Sequence, residues 1–260
     1  MNNRHSHSQK SKAAIPEEQL IMGVHTVQEV LRHARNSILA VYTSVSDSTK
    51  KRKHELLEEC VKRGIPVHQS SFEALTKMVG SDSHQSFVAH IKPRKFCEIQ
   101  EFIREKSEAF VVMLDQIFDP QNFGAILRSA ECFGADAVVW SKNRGCDLTP
   151  LATKASCGAS ELMPLMRVSN LADSLEKFKK AGYEIIASVA DPEAHSIFTI
   201  RPAEKTVLII GSEGEGIQHL LRKKADRLVF IPLSGKIESL NAAQATAILL
   251  AWSAEQRSKK

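Results

Sequence analysis

The sequence predicts an α/β protein in two blocks, the second built on a mainly parallel sheet covered by helices on both faces. Three observations carry that expectation. Apolar runs of strand length alternate with helical patterns, an order that favours parallel strands joined by crossover helices. A polar stretch opening at Pro93 interrupts the alternation and separates a first unit, residues 19–93, from a second, residues 108–257. The composition, 43% hydrophobic and 25% charged over 260 residues, is that of a globular chain with enough apolar material for a real core.

Taken in order, residues 1–18 are polar, rich in Ser, His and Lys, and lack periodicity, which predicts a disordered basic tail. Order is expected from about Leu20. In GVHTVQEVLRH, Val24, Val27, Val30 and Leu31 recur at helical spacing. ILAVYT (38–43) reads as a strand, residues 49–62 as a charged helix stopped by Gly64, and IPVHQ as a second strand. A short helix at 71–79 and the strand SFVAHI (86–91) complete the first unit. Residues 94–107 read as a linker with one helical stretch. Beyond it, strands are expected near 110–114, 136–140, 163–167, 184–189, 206–210 and 228–231.

Several classes are excluded at this level. No apolar run approaches the roughly 18–20 residues of a membrane-spanning helix. The N-terminus MNNRHSHSQKSK has no apolar stretch behind its basic residues, unlike a secretory signal. Cys60, Cys97, Cys132, Cys146 and Cys157 are odd in number and form no CxxC pair. That argues against a disulfide framework and a zinc site and fits a reducing cytoplasm; no metal is expected. The net charge of +5 permits a polyanionic partner without requiring one. Arg4, Lys10, Lys12 and the Lys50–Lys53 cluster are candidate phosphate contacts or merely solvated charges.

Three segments of the second unit carry polar residues in unusual places. In DQIFDPQNFGAILRSAECFG (115–134), Asp119-Pro120 resembles a helix start, and Phe123, Ile126, Leu127, Ala130 and Phe133 form one stripe. Arg128 lies nearly opposite that stripe, as a surface charge or a site residue; Asn122 is a turn residue or part of a site. TVLIIGSEGEG (206–216) runs from a strand into a glycine-rich turn bearing Glu213 and Glu215. Carboxylates would repel phosphate, so neither a P-loop nor a dinucleotide site fits, and a cationic or neutral ligand does. The alternative reading of Glu213 is a partner for a helix dipole. In FIPLSGKIESLNAAQATAILLAW (230–252), Ser239 is placed to cap a final helix from Leu240 that is small or apolar nearly all round. Such a helix belongs in a core or a subunit interface, and its Asn241 is a structural clip or part of a site.

Together and in this order, the three segments resemble the signature motifs of the SpoU (TrmH-like) family of SPOUT methyltransferases. DPQNFGAILRSAECFG is similar to the first, GSEGEG to the second and IPLSGKIESLNAAQA to the third, with KASCGASELMPLMRV similar as well. The 19–93 unit resembles the small ribosomal-protein-like domain of members that modify ribosomal RNA, through GVHTVQEVL and the segment around His84-Gln85. Ala242-Ala243 departs from the usual Val-Ser of the third motif, and Phe123 from the commoner Leu.

The resemblance implies a deep trefoil knot in the second unit and an RNA substrate-binding role for the first. It implies S-adenosyl-L-methionine as cofactor, held mostly by backbone at Gly211, Ile231 and Leu240, and a homodimer. It places Arg128, Asn122, Glu213, Ser239 and Asn241 around a reacting ribose whose 2′-hydroxyl receives the methyl group. The family's arginine is held to accept the proton with help from a substrate phosphate. A guanidinium, however, keeps its proton above about pH 12, so Arg128 is better suited to clamp that phosphate. Glu213 then orients Arg128 or takes the proton itself. Large-subunit (23S) ribosomal RNA, at a guanosine, is the expected target in the cytoplasm. A transfer-RNA 2′-O-methyltransferase and a non-catalytic RNA-binding or ribosome-assembly factor are the alternatives.

Overall fold

The computed structural model describes residues 16, 19–34, 37–45, 51–191, 193–237 and 239–258. The basic tail, Pro16 apart, and Lys50 lie outside the described residues.

The first sheet contains β1 (Leu20–Met22), β2 (Ile38–Thr43), β3 (Val67–Gln69) and β4 (Phe87–Ile91), in the order β1-β4-β2-β3. Strand β4 runs antiparallel to β1 and β2, while β3 runs parallel to β2. Helices α1 (Val24–His33) and α2 (Lys51–Lys62) share one core with it, built on Ile21, Val27, Val41, Cys60 and Phe87. Helix α3 (Phe72–Val79) covers Leu20, Met22 and Val88 on the other face. Gly64, at φ 70°, turns the chain out of α2 into β3, as its position suggested. Strand β1 was not foreseen: three residues are too few to display an alternation.

The second sheet has seven parallel strands in the order β7-β6-β5-β10-β8-β11-β9. They are β5 (Ala109–Leu114), β6 (Ala137–Ser141), β7 (Leu165–Val168), β8 (Glu184–Ser188), β9 (His195–Ser196), β10 (Lys205–Ile210) and β11 (Arg227–Phe230). Period-two alternation sends Phe110, Val112 and Leu114 to one face and Val111 and Met113 to the other. The first face is covered by α5 (Pro120–Cys132) and α9 (Ala242–Ser258), through Phe123, Ile126, Leu127, Leu249 and Leu250. The second is covered by α4 (Ile99–Glu105), α7 (Leu171–Lys180) and α8 (His219–Lys224). Ile99 and Phe102 are buried there, so the segment between the two sheets is packed along α4.

The two sheets are also tied directly. Arg94 Nε donates to Glu161 Oε1 at 2.7 Å with both side chains nearly enclosed. Leu151, on α6 (Pro150–Ala155), packs against the Leu20–Met22 cluster.

One correction concerns the last helix. It starts at Ala242, not Leu240, and Asn241 caps it in place of Ser239. Asn241 Oδ1 accepts from Ala243 N at 2.8 Å and Gln244 N at 3.1 Å, whereas Ser239 is exposed.

Gly124 fixes how closely α5 lies on α6. A Cβ there would sit 2.3 Å from the Ala152 carbonyl oxygen and 2.5 Å from Ala155 Cβ. Gly124→Ala should therefore lower the unfolding free energy by about 1–3 kcal/mol despite its better helix propensity, as read by urea titration.

Candidate active site

The carboxyl ends of β5 and β10 are adjacent, and the chain leaves β5 towards β6 on the opposite side from β10. Such a switch in strand order opens the crevice in which parallel α/β sheets hold ligands. Three loops meet there: 115–119 into α5, 211–218 after β10, and 231–241 after β11.

Each loop brings one amide or carboxylate to a common cluster. Asp119 caps α5 by accepting from Gln121 N and Asn122 N, with Pro120 at the first position, so Asn122 stands on the first turn. Asn122 Nδ2 donates to Glu213 Oε1 at 3.0 Å. Asn241 Nδ2 donates to Asn122 Oδ1 at 2.8 Å, and Ala242 N donates to Glu213 Oε1 at 3.1 Å. The direction of this chain is set by backbone. Two N–H groups fix Asn241 Oδ1 as acceptor, so its amino group must face Asn122, whose own amino group then faces Glu213. Among the described residues, Glu213 Oε2 takes no hydrogen bond and is open to a further donor.

Asn122, Glu213 and Asn241, read from separate motifs, are thus brought together. Arg128 and Ser239 form no hydrogen bond with this cluster. Arg128 is exposed and forms no hydrogen bond or ion pair with a described residue. Six residues beyond Asn122, it lies about 120° round α5 and roughly 9 Å along its axis. Ser239 is exposed on the 231–241 loop.

Gly211 begins the turn after β10. A Cβ on it would lie 2.3 Å from the Gly216 carbonyl carbon and 2.5 Å from Ile217 N, so only glycine lets the loop close. Ser212 and Gly216 close it by exchanging backbone bonds at 3.1 Å, with Gly214 and Gly216 at positive φ. Ile231 and Leu240 are half-buried at the two ends of the third loop. No backbone N–H or carbonyl of residues 231–237, 239 or 240 bonds to another described residue outside the strands and helices. A run of open backbone donors and acceptors, beside a glycine-only turn, suits a ligand held by backbone. A donor set of this kind fits S-adenosylmethionine.

Among the described residues no group of His, Cys, Asp and Glu could hold a metal ion. Cys146, near the 115–119 loop, is pushed up to about 11 by burial, aided by the Asp147 and Asp119 carboxylates, so it remains a thiol. Sequence reasoning missed Asp115, a fully buried carboxylate at the end of β5. Its signal was a single acid closing the apolar run AFVVML.

Residues 109–251 match the SpoU rRNA Methylase family, and residues 20–97 match the family described as RNA 2'-O ribose methyltransferase substrate binding. The chain belongs to the SpoU rRNA methylase family. Membership makes it an S-adenosylmethionine-dependent RNA methyltransferase. Curated SpoU relatives include the 23S rRNA (guanosine-2'-O-)-methyltransferase RlmB of Haemophilus ducreyi, 34% identical over 88% of this chain and 94% of that protein. The enzyme of the same name from Escherichia coli K12 is 32% identical over 92% of this chain and 99% of its own length. Among solved structures, an AdoMet-bound rRNA methyltransferase from Sinorhizobium meliloti superposes with a TM-score of 0.71 at 25% identity, over 91% of this chain and 86% of that one. AviRb of Streptomyces viridochromogenes, a SpoU methyltransferase in complex with AdoMet, shares the fold with a TM-score of 0.73 at 24% identity, over 93% and 91% of the two chains.

Asn241 both caps α9 and holds Asn122. Asn241→Ala should cost about 1–2 kcal/mol in a urea titration, the range for a lost cap. Asn241→Ser should restore most of that stability, because a hydroxyl caps, yet not methyl transfer, because it cannot also reach Asn122.

Proposed function

We propose that this chain methylates a ribose 2′-hydroxyl of 23S ribosomal RNA, at a guanosine, in the cytoplasm. The observation that carries the chemistry is the directed Asn241–Asn122–Glu213 chain, which leaves one carboxylate oxygen open beside the backbone of the 231–240 loop. The target follows the relatives' activity and the match of residues 20–97 to a substrate-binding family. No described helix is long and apolar enough to cross a membrane.

S-Adenosylmethionine supplies an electrophilic methyl group on a cationic sulfur. The chain's own work is to align the 2′-oxygen in line with that methyl and to remove its proton. Glu213 Oε2 accepts the hydroxyl hydrogen and then takes the proton, the methyl–sulfur bond breaking as the oxygen–carbon bond forms and sulfur leaving as a neutral thioether. Asn122 and Ala242 N–H, both bonded to Oε1, keep the carboxylate in one orientation. Alignment of this kind supplies several kcal/mol, and a positioned base about 10²–10⁴-fold in rate. Ser239 donates to or accepts from the ribose at the mouth of the site. Arg128 binds the adjoining phosphate with two guanidinium N–H groups.

Among the described residues Arg128 forms no hydrogen bond or ion pair with Asn122, Glu213 or Asn241, which fits a homodimer in which a second copy completes the site. Ile248 on α9, with Leu233 and Ile237 on the 231–241 loop, is an exposed apolar residue suited to that interface. The 231–241 segment passes through a trefoil knot in this reading, and residues 19–93 bind RNA without taking part in the chemistry.

The test is methyl transfer from labelled cofactor to 23S transcript, followed by mapping of the modified ribose. Glu213→Gln keeps an acceptor for Asn122 and Ala242 N–H but replaces the open oxygen with an amide nitrogen. It should fold and bind cofactor normally and lose at least about 10²-fold in single-turnover rate. Arg128→Ala should likewise keep fold, dimer and cofactor binding and lose about 10²-fold. Arg128→Lys should not restore the rate, since an ammonium cannot make a planar two-pronged contact. Wild-type rates in either neutral variant would remove that residue from the chemistry. A monomer by light scattering would remove the dimer.

A further inference from the structure

Arg144 is exposed on the loop that leaves β6, at the same carboxyl edge of the sheet as Asn122, Gly211 and Glu213. Its Nη1 donates to Gln218 Oε1 at 2.6 Å. Gln218 is itself fixed. Its main-chain N donates to Asp115 Oδ2 at 2.7 Å and its Nε2 to Asp115 Oδ1 at 2.5 Å. Asp115 is fully buried, and its own N donates to the Ile210 carbonyl at 2.9 Å. One residue therefore grips both ends of the 211–217 turn, and through Gln218 it also sets the position of a surface arginine. The loop that carries Arg144 is fastened on its other side, where Cys146 N donates to the Ile117 carbonyl at 2.7 Å.

Arg144 differs from the paired arginines of the same unit in what holds it. Arg167, Arg222 and Arg227 each meet a carboxylate. Arg144 is held by a neutral amide and forms no ion pair with a described residue, so it is positioned but not neutralised. Its Nε and Nη2 remain free to donate, a planar pair that matches two phosphate oxygens. Exposed Lys142 adds a second cation on the same loop. A cation already held in place loses little freedom when an anion arrives.

We propose that Arg144, positioned by Asp115 through Gln218, is a phosphate contact that holds the RNA strand beside the reacting ribose. The inference rests on the RNA methyl-transfer reading above. A plain structural bridge between two loops is the competing account, and it makes opposite predictions for RNA binding.

The test uses the full chain and an in vitro 23S transcript. Arg144→Gln should weaken RNA binding about tenfold near 0.1 M salt and reduce the slope of log affinity against log salt by about one, as expected for one lost phosphate contact. Cofactor affinity by calorimetry and the melting temperature should not move. The single-turnover rate at saturating RNA should stay within about threefold, so the defect appears in KM. Gln218→Met keeps the arginine charge and removes its support; it should weaken RNA binding by less, with the full salt slope. Lys223→Gln removes a charge from the exposed end of α8 and should change neither quantity. Unchanged RNA affinity and slope in Arg144→Gln would overturn the inference alone, as would a loss matched by lower stability and cofactor binding. A wild-type chain that neither binds nor methylates the transcript would overturn the functional reading and this inference with it.

Discussion

Glu213 Oε1 is the point at which three distant stretches of chain are joined. It accepts from the side chain of Asn122, near the start of α5, and from the first backbone N–H of α9. These partners are 91 and 29 residues away in sequence, so the bonds form only once the sheet has assembled. A helix N-terminus carries a partial positive charge, and a carboxylate there is favourable by roughly 0.3–1 kcal/mol. The same contact uses one oxygen of Glu213, and the other takes no hydrogen bond from a described residue. The bonds from Asn122 and from Ala242 N–H hold this exposed side chain in one orientation.

That junction needs backbones to lie closer than side chains permit. Gly211 lets the turn after β10 fold back upon Gly216 and Ile217, and Gly124 lets α5 lie on α6. The second approach seats α5, which carries Asn122, against α6, and the first closes the turn that carries Glu213. Neither glycine has a positive φ, so conformational freedom is not their purpose at these positions. What matters is the missing Cβ.

Local rules explain which parts of this were legible in the sequence. The Asp119-Pro120 start of α5 was readable because a cap contacts residues only two and three positions ahead. Strands β5 and β10 were readable because a parallel strand buried on both faces is an unbroken apolar run. The cap of α9 was misread because Ser239 and Asn241 are both good capping residues two positions apart. The choice between them was made by Glu213, whose carboxylate sits where Ala242 N–H must be for the helix to begin there. Asp115 escaped notice because its partner Gln218 lies 103 residues away. The grouping of Asn122, Glu213 and Asn241 came from the resemblance of whole motifs; no spacing rule would have assembled it.

The charges at this end of the second unit are sorted by element. Glu213 and Glu215 on the glycine-rich turn would repel a phosphate, and they suit a cationic sulfur. An RNA strand must still reach the same place with its phosphates, at a cost that rises as carboxylates crowd it. Arg128 and Arg144 are both exposed and neither is neutralised by a described carboxylate. Neither stands on the acidic turn: one is on α5 and the other on the β6 loop. The arrangement lets opposite charge requirements coexist a few residues apart. In the proposed reaction the carboxylate takes a proton and faces a cation, and the two guanidinium groups meet the anionic backbone. Had an arginine stood on the acidic turn and paired with Glu213, each would have cancelled the other, leaving neither an open carboxylate oxygen nor a free phosphate ligand.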